Sequence, residues 1–84
     1  MLFATRRITI KILFKNKEEF INRINIFLFQ IGYARAFNHE DFYLYKPSVE
    51  AGKLSGNINI NLNQNYAEIN GPISYIKKLE KVLD

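Results

Sequence analysis

Hydrophobic residues recur at helical spacing between Asn16 and Gly32, and this segment is the first element that the pattern predicts. At about 100° per residue, six apolar residues form one stripe that would face a core; they are Phe20, Ile21, Ile24, Phe27, Leu28 and Ile31. Asn16 can cap the start of the helix, and Glu19 stands three residues later, as in a capping box. Gly32 follows the last apolar residue, at the position where many helices end in a left-handed conformation.

Apolar and polar residues alternate in two other stretches, as in strands that bury one face. The first covers Thr5–Phe14 and the second covers Lys53–Asn63, where asparagines hold most of the polar side. Their inward residues are expected to be Ile8, Ile10, Ile12 and Phe14, then Leu54, Ile58, Ile60 and Leu62. Gln64-Asn65 fits a two-residue hairpin turn in which Asn65 tolerates positive φ, and Tyr66–Asn70 is expected to complete the hairpin.

The segment between the first helix and these later strands allows two interpretations. Residues 33–46 form either two short strands around a four-residue polar turn or one long bent strand with the polar residues as a bulge. In the second apolar run, Phe42 and Leu44 are expected to face the core. Tyr43 and Tyr45 are then expected to face outward, because side chains alternate along a strand.

The last segment predicts a second helix. Pro72 suits the first position of a helix, because its missing N–H would have no partner there. The buried stripe of this helix is expected to contain Ile73, Ile76, Leu79 and Leu83, with Val82 alongside. Residues 47–52 contain a proline and a glycine and predict a loop.

The elements therefore follow the order β-α-β-β-β-β-α, or β-α-β-β-β-α if the middle segment is one strand. Both helices can pack on one face of a mainly antiparallel sheet of four to five strands, which is a two-layer α+β sandwich. A chain of 84 residues predicts one small domain over residues 1–84. The chain has no cysteine, which excludes disulfides and zinc–thiolate sites within it.

The charge is concentrated in the N-terminal half. The net charge is +4, and residues 1–17 carry five positive charges and no negative one. Such a segment can attract phosphate or an acidic surface, or it can be an ordinary solvated strand face. The start of the chain lacks the long apolar run of a signal peptide, and residues 20–31 are too short for the ~20 residues of a membrane span. We expect a soluble, cytoplasmic protein.

Candidate catalytic residues are confined to one cluster. His39, Glu40 and Asp41 could transfer protons near neutral pH, but adjacent residues in an exposed turn rarely converge on one point. The four glycines form no phosphate-binding motif. We expect no catalytic residues, no cofactor, no metal ion and no enzymatic activity.

Protein–protein contact is the function that the pattern favours. Ile26 and Phe29 project from the helix opposite its core stripe, near Asn22, and a spacing of three residues lets them touch. They are either scattered surface hydrophobes, which are normal, or a contact face for another chain. The asparagine-rich strand could also offer a polar face or a free edge. We expect a small binding module that acts as a homo-oligomer, or as a small subunit or adaptor of a larger assembly.

A basic RNA- or DNA-binding domain is the alternative. Outward tyrosines could stack on bases, and lysine or arginine beside them or on the first strand could bind phosphates. The residues of this alternative site are Arg7, Lys11, Arg35, Tyr43, Tyr45 and Lys46.

Overall fold

The computed structural model describes residues 6–47 and 56–83 as a five-stranded antiparallel sheet with two helices. In chain order the elements are β1 (Arg7–Leu13), α1 (Lys17–Gln30), β2 (Tyr33–His39), β3 (Phe42–Pro47), β4 (Ile58–Leu62), β5 (Tyr66–Pro72) and α2 (Ile73–Leu83). The strands lie side by side in the order β1-β5-β4-β3-β2. The predicted element order and two-layer α+β sandwich are confirmed, and residues 33–46 form a hairpin rather than one bent strand.

Local signals define both ends of α1. Asn16 Oδ1 accepts a hydrogen bond of 2.9 Å from the Glu19 N–H, which pairs one of the free donors of the first turn. At the other end, Gly32 has φ 95° and its N–H donates to the Phe29 carbonyl at 3.1 Å. A positive φ is readily available to glycine, and it turns the chain directly into β2.

The central strand β4 decides which face of the sheet is covered. Ile58, Ile60 and Leu62 are buried under the helix layer, while Asn59 and Asn61 point to the opposite face. Paired residues on neighbouring strands share a face, so the alternation of β4 extends through the whole sheet. The buried core consists of Ile12, Phe20, Ile21, Ile24, Leu28, Tyr33, Tyr45, Ile58, Ile60, Leu62, Ala67, Ile69, Ile76 and Leu79.

The predicted orientation of β3 is wrong. Tyr43 pairs with Ile60 and Tyr45 pairs with Ile58, so both tyrosines face the helix layer. Phe42 and Leu44, which were expected to face the core, pair with the asparagines of β4 and lie on the opposite face. Every residue from 42 to 45 is apolar or aromatic, so the alternation of β3 alone carries no information about its direction.

The connections differ from the expectation in detail. The polar turn has two residues instead of the expected four, because β2 continues through His39. Glu40 in this turn takes a positive φ of 53°. The Gln64-Asn65 turn forms, closed by a hydrogen bond of 2.7 Å from the Asn63 N–H to the Tyr66 carbonyl. Asn65, which tolerates positive φ, does not adopt it in this turn.

The predicted β5–α2 junction and the asparagine-rich edge also need correction. Pro72 is the last residue of β5, and α2 begins at Ile73, one residue later than predicted. Val82 is exposed instead of lying beside the buried stripe. The asparagine-rich strand has no free edge, because β4 is paired with β3 and β5 on its two sides.

Parts of two predicted elements lie outside the described residues. The loop expected over residues 47–52 is described only at Pro47, which ends β3, and the strand expected from Lys53 is described from Gly56 onward. Neither described helix combines the length and apolar content that crossing a membrane requires.

The two sides of α1 are expected to differ sharply in their contribution to stability. Ile24→Ala removes a fully buried side chain and is expected to lower the free energy of unfolding by about 2–5 kcal/mol. The matched substitution Ile26→Ala, one half-turn away on the exposed side, should change it by less than about 0.5 kcal/mol. Urea denaturation of both variants measures the difference, and equal losses would contradict the placement of α1.

Candidate functional site

A groove lies between α1 and the edge of the sheet, and we call it the α1–β2 groove. It has a volume of about 610 Å³. Its lining comes from α1, β2 and β3 and consists of Asn25, Ile26, Phe29, Gln30, Tyr33, Ala34, Arg35 and Tyr45. The groove exists because Gly32 turns the chain back, which sets the C-terminal half of α1 beside the first residues of β2.

The exposed side of α1 supplies the apolar wall of this groove. Ile26 is 61% exposed and Phe29 is 77% exposed, whereas Ile24 and Leu28 on the same helix are fully buried. Asn22 is also exposed on α1, but it does not line the groove. Two of the three residues predicted for a protein interface are therefore brought to one concave site.

Two buried tyrosines form the floor. The Tyr45 hydroxyl donates a hydrogen bond to Asn25 Oδ1, which joins β3 to α1. The Tyr33 hydroxyl donates to the Gly56 carbonyl at 2.8 Å, and its ring meets Tyr75 edge-on at 5.3 Å between ring centres. Burial raises the pKa of Tyr45 to about 12, with the positive charge of Arg35 acting in the opposite direction. Hydrogen bonds thus hold both hydroxyls of the floor, and Tyr45 is uncharged at neutral pH.

The outer edge of the groove is the sheet edge formed by β2. Among the described strands β2 pairs with β3 alone, and its register shifts between Arg35 and Phe37. Such a bulge interrupts the ladder of backbone groups that another strand would need for pairing. The geometry therefore favours contact through the groove over simple extension of the sheet.

The structure separates the residues of the predicted nucleic-acid site. Arg35, Tyr43 and Tyr45 face the helix layer, with the Arg35 guanidinium 5.7 Å from the centre of the Tyr43 ring. Arg7, Lys11 and Lys46 belong to the opposite side of the sheet, which we call the open face. A base-stacking platform of Tyr43 and Tyr45 does not form, because Tyr45 is buried.

Sequence reasoning missed an aromatic cluster on the open face. Phe37, His39 and Phe42 lie together there, and Phe37 is 51% exposed. The signal that could have located them is the pairing of β3 with β4, because the asparagines of β4 assign the facing residues of β3 to the open face.

The polar turn holds no catalytic arrangement within the described part of the chain. His39 Nε2 lies 3.9 Å from Glu40 Oε2, with both side chains exposed to solvent. Asp41 turns away and pairs with Lys17 at 3.2 Å. No group of three metal-binding side chains comes together among residues 6–47 and 56–83.

Comparison with models of known families, with curated proteins and with solved structures gives no match to this chain.

Alkaline pH is expected to destabilise the groove floor through Tyr45. Its pKa in the folded state, about 12, lies above the ordinary value of 10.0, so the folded state holds this proton more tightly. The resulting stabilisation is fully present below about pH 10 and is lost as the pH rises through about 12, up to a total of about 2–3 kcal/mol.

Urea denaturation across this pH range should show a steeper loss of stability for the wild type than for Tyr45→Phe. Tyr66→Phe, which removes the hydroxyl of a partly exposed tyrosine on β5, is the matched control and should behave like the wild type. Parallel curves for the wild type and Tyr45→Phe would contradict the assignment.

Proposed function

We propose that the protein is a non-enzymatic binding module of the cytoplasm that acts through contact with another protein chain, as a homo-oligomer or as a small subunit or adaptor of a larger assembly. The observation that carries this proposal is the exposure of Ile26 and Phe29 at the α1–β2 groove. A chain without cysteine also suits a reducing compartment.

The two side chains offer a source of binding energy that folding leaves unused. Complete burial of an isoleucine or phenylalanine is worth about 1.5–3 kcal/mol. Single exposed hydrophobic residues are common on protein surfaces, but Ile26 and Phe29 lie side by side at a concave site. An apolar centre with a polar rim is the usual anatomy of a protein interface, and such a centre supplies most of the binding energy.

The rim of the groove indicates the chemistry of the partner. Asn25 and Gln30 contribute amide groups, and Arg35 contributes a positive charge. A complementary segment would insert an apolar side chain between Ile26 and Phe29 and would place a carboxylate or carbonyl group near Arg35. The bulge in β2 opposes simple strand addition, so the contact would be made by side chains rather than by backbone pairing.

Replacing the apolar wall by charge is expected to abolish association. The double variant Ile26→Asp, Phe29→Asp removes at least about 3 kcal/mol of apolar burial, which corresponds to more than a hundredfold in Kd. Light scattering over a concentration series should show a wild-type mass that exceeds the monomer and a variant mass equal to the monomer. Circular dichroism should be the same for both, because neither residue belongs to the core.

Leu13→Asp is the matched control, because Leu13 at the end of β1 is 77% exposed, as Phe29 is. It should retain the wild-type mass. If the wild type is monomeric at every concentration, the partner is a different chain. A chain that co-purifies from native cells should then bind the wild type and Leu13→Asp but not the double variant, and equal binding to all three would contradict the proposal.

A further inference from the structure

The open face of the sheet is a second surface with a chemistry of its own. It is the face opposite α1 and α2, and neither described helix covers it. Its side chains are Arg7, Thr9, Lys11 and Leu13 of β1, Tyr66, Glu68 and Asn70 of β5, Asn59 and Asn61 of β4, Phe42, Leu44 and Lys46 of β3, and Ala34, Phe37 and His39 of β2.

One side of the open face is aromatic. The Phe37 and His39 rings are inclined by only 25° with their centres 6.4 Å apart, and the Phe42 ring lies 6.1 Å from Phe37. The His39 side chain is 72% exposed, which leaves its ring available for a flat ligand. Folding gains little from the largely exposed rings of Phe37 and His39, and a nucleobase can stack on such rings whatever its identity.

The edge strand on the other side of β4, β1, carries two of the basic residues of the open face, Arg7 and Lys11. The Lys11 ammonium group lies 5.0 Å from the centre of the Tyr66 ring. The third basic residue, Lys46, is exposed on β3, at the opposite end of that strand from Phe42. Arg7 donates hydrogen bonds of 2.7 and 3.1 Å to Asn70 Oδ1 and one of 2.8 Å to the Asn57 carbonyl. These three bonds use three of the five guanidinium donors, and the other two, on Nη1 beside Gly56, make no hydrogen bond to the described residues.

Amide groups lie between the aromatic and the basic sides. Asn59 and Asn61 project from β4, and their amides make no hydrogen bond to the described residues. The row Lys11, Glu68, Asn61, Phe42 and His39 runs straight across five strands. Three strand spacings of about 4.8 Å separate β1 from β3, so the Cα atoms of Lys11 and Phe42 are about 14 Å apart. The only acidic side chain on the described open face, Glu68, pairs in register with Lys11.

We propose that the open face binds single-stranded RNA across the strands, with bases stacked on Phe37, His39 and Phe42 and phosphates near Arg7, Lys11 and Lys46. Stacking requires bases that are not already paired and stacked in a duplex, which selects a single strand. The positive charge complements the phosphates. The free amides of β4 can donate to and accept from base edges and the 2′-hydroxyl, which favours RNA over DNA.

The test is a fluorescence-anisotropy titration with a labelled oligouridylate, a labelled oligothymidylate and a labelled RNA duplex. Wild-type protein should bind the oligouridylate most tightly, with affinity that falls as salt rises. Phe37→Ala and His39→Ala, at well-exposed positions, should each weaken binding by about 5- to 150-fold. Phe42→Ala tests the third ring of the cluster, and circular dichroism shows whether this variant folds.

Matched charge variants separate a site from net charge. The double variant Lys11→Gln, Lys46→Gln should weaken RNA binding. It should also make the slope of log K against log salt concentration shallower, by the amount that corresponds to about one to two phosphate contacts. Lys77→Gln with Lys81→Gln lowers the net charge equally on the exposed side of α2 and should leave affinity within about twofold.

Four results would overturn the proposal. They are no binding of the oligouridylate at low salt, equal or tighter binding of the duplex or the oligothymidylate, an affinity unchanged by loss of Phe37 and His39, and equal losses from the two lysine pairs. Binding of a protein in place of RNA, lost with Phe37→Ala, would reassign the open face to a protein partner.

Discussion

The alternation of β4 is the constraint on which the rest of this structure depends. Three apolar residues, Ile58, Ile60 and Leu62, project to one side of the central strand, and asparagines project to the other. The helices cover the apolar side of β4, so its burial determines the face of the sheet on which α1 and α2 pack. Because β4 is paired on both sides, a slip of one residue would expose the apolar row and bury unpaired amides.

The parts of the fold that could be predicted are those whose cause is local or strictly periodic. Asn16 and Gly32 limit α1 through their own hydrogen bonds and backbone freedom, without any contribution from the rest of the chain. The alternation of β1 and β4 likewise assigns their faces directly. A hairpin between Leu62 and Tyr66 follows from the short polar turn that joins two such strands. These elements were sufficient to predict the two-layer arrangement.

The site residues on β2 and β3 could not be placed from sequence, because their orientation is set by pairing rather than by their own pattern. Residues 42–45 are apolar or aromatic at every position, and burial of either face would look equally favourable. The decision comes from β4, whose isoleucines meet Tyr43 and Tyr45. The exposure of Ile26 and Phe29 could be predicted, because helical periodicity separates them from the buried stripe without reference to another element.

The bulge in β2 links the two surfaces of the molecule. Tyr33 and Arg35 face the helix layer and take part in the α1–β2 groove. With strict alternation, Phe37 and His39 would face that side as well. The register shift after Arg35 pairs Phe37 with Leu44 instead, which moves both rings to the open face. The same extra residue interrupts the free edge of the sheet. The extra residue in β2 thus ends the groove lining at Arg35 and interrupts the backbone ladder at the free edge of the sheet. It also places Phe37 and His39 on the open face.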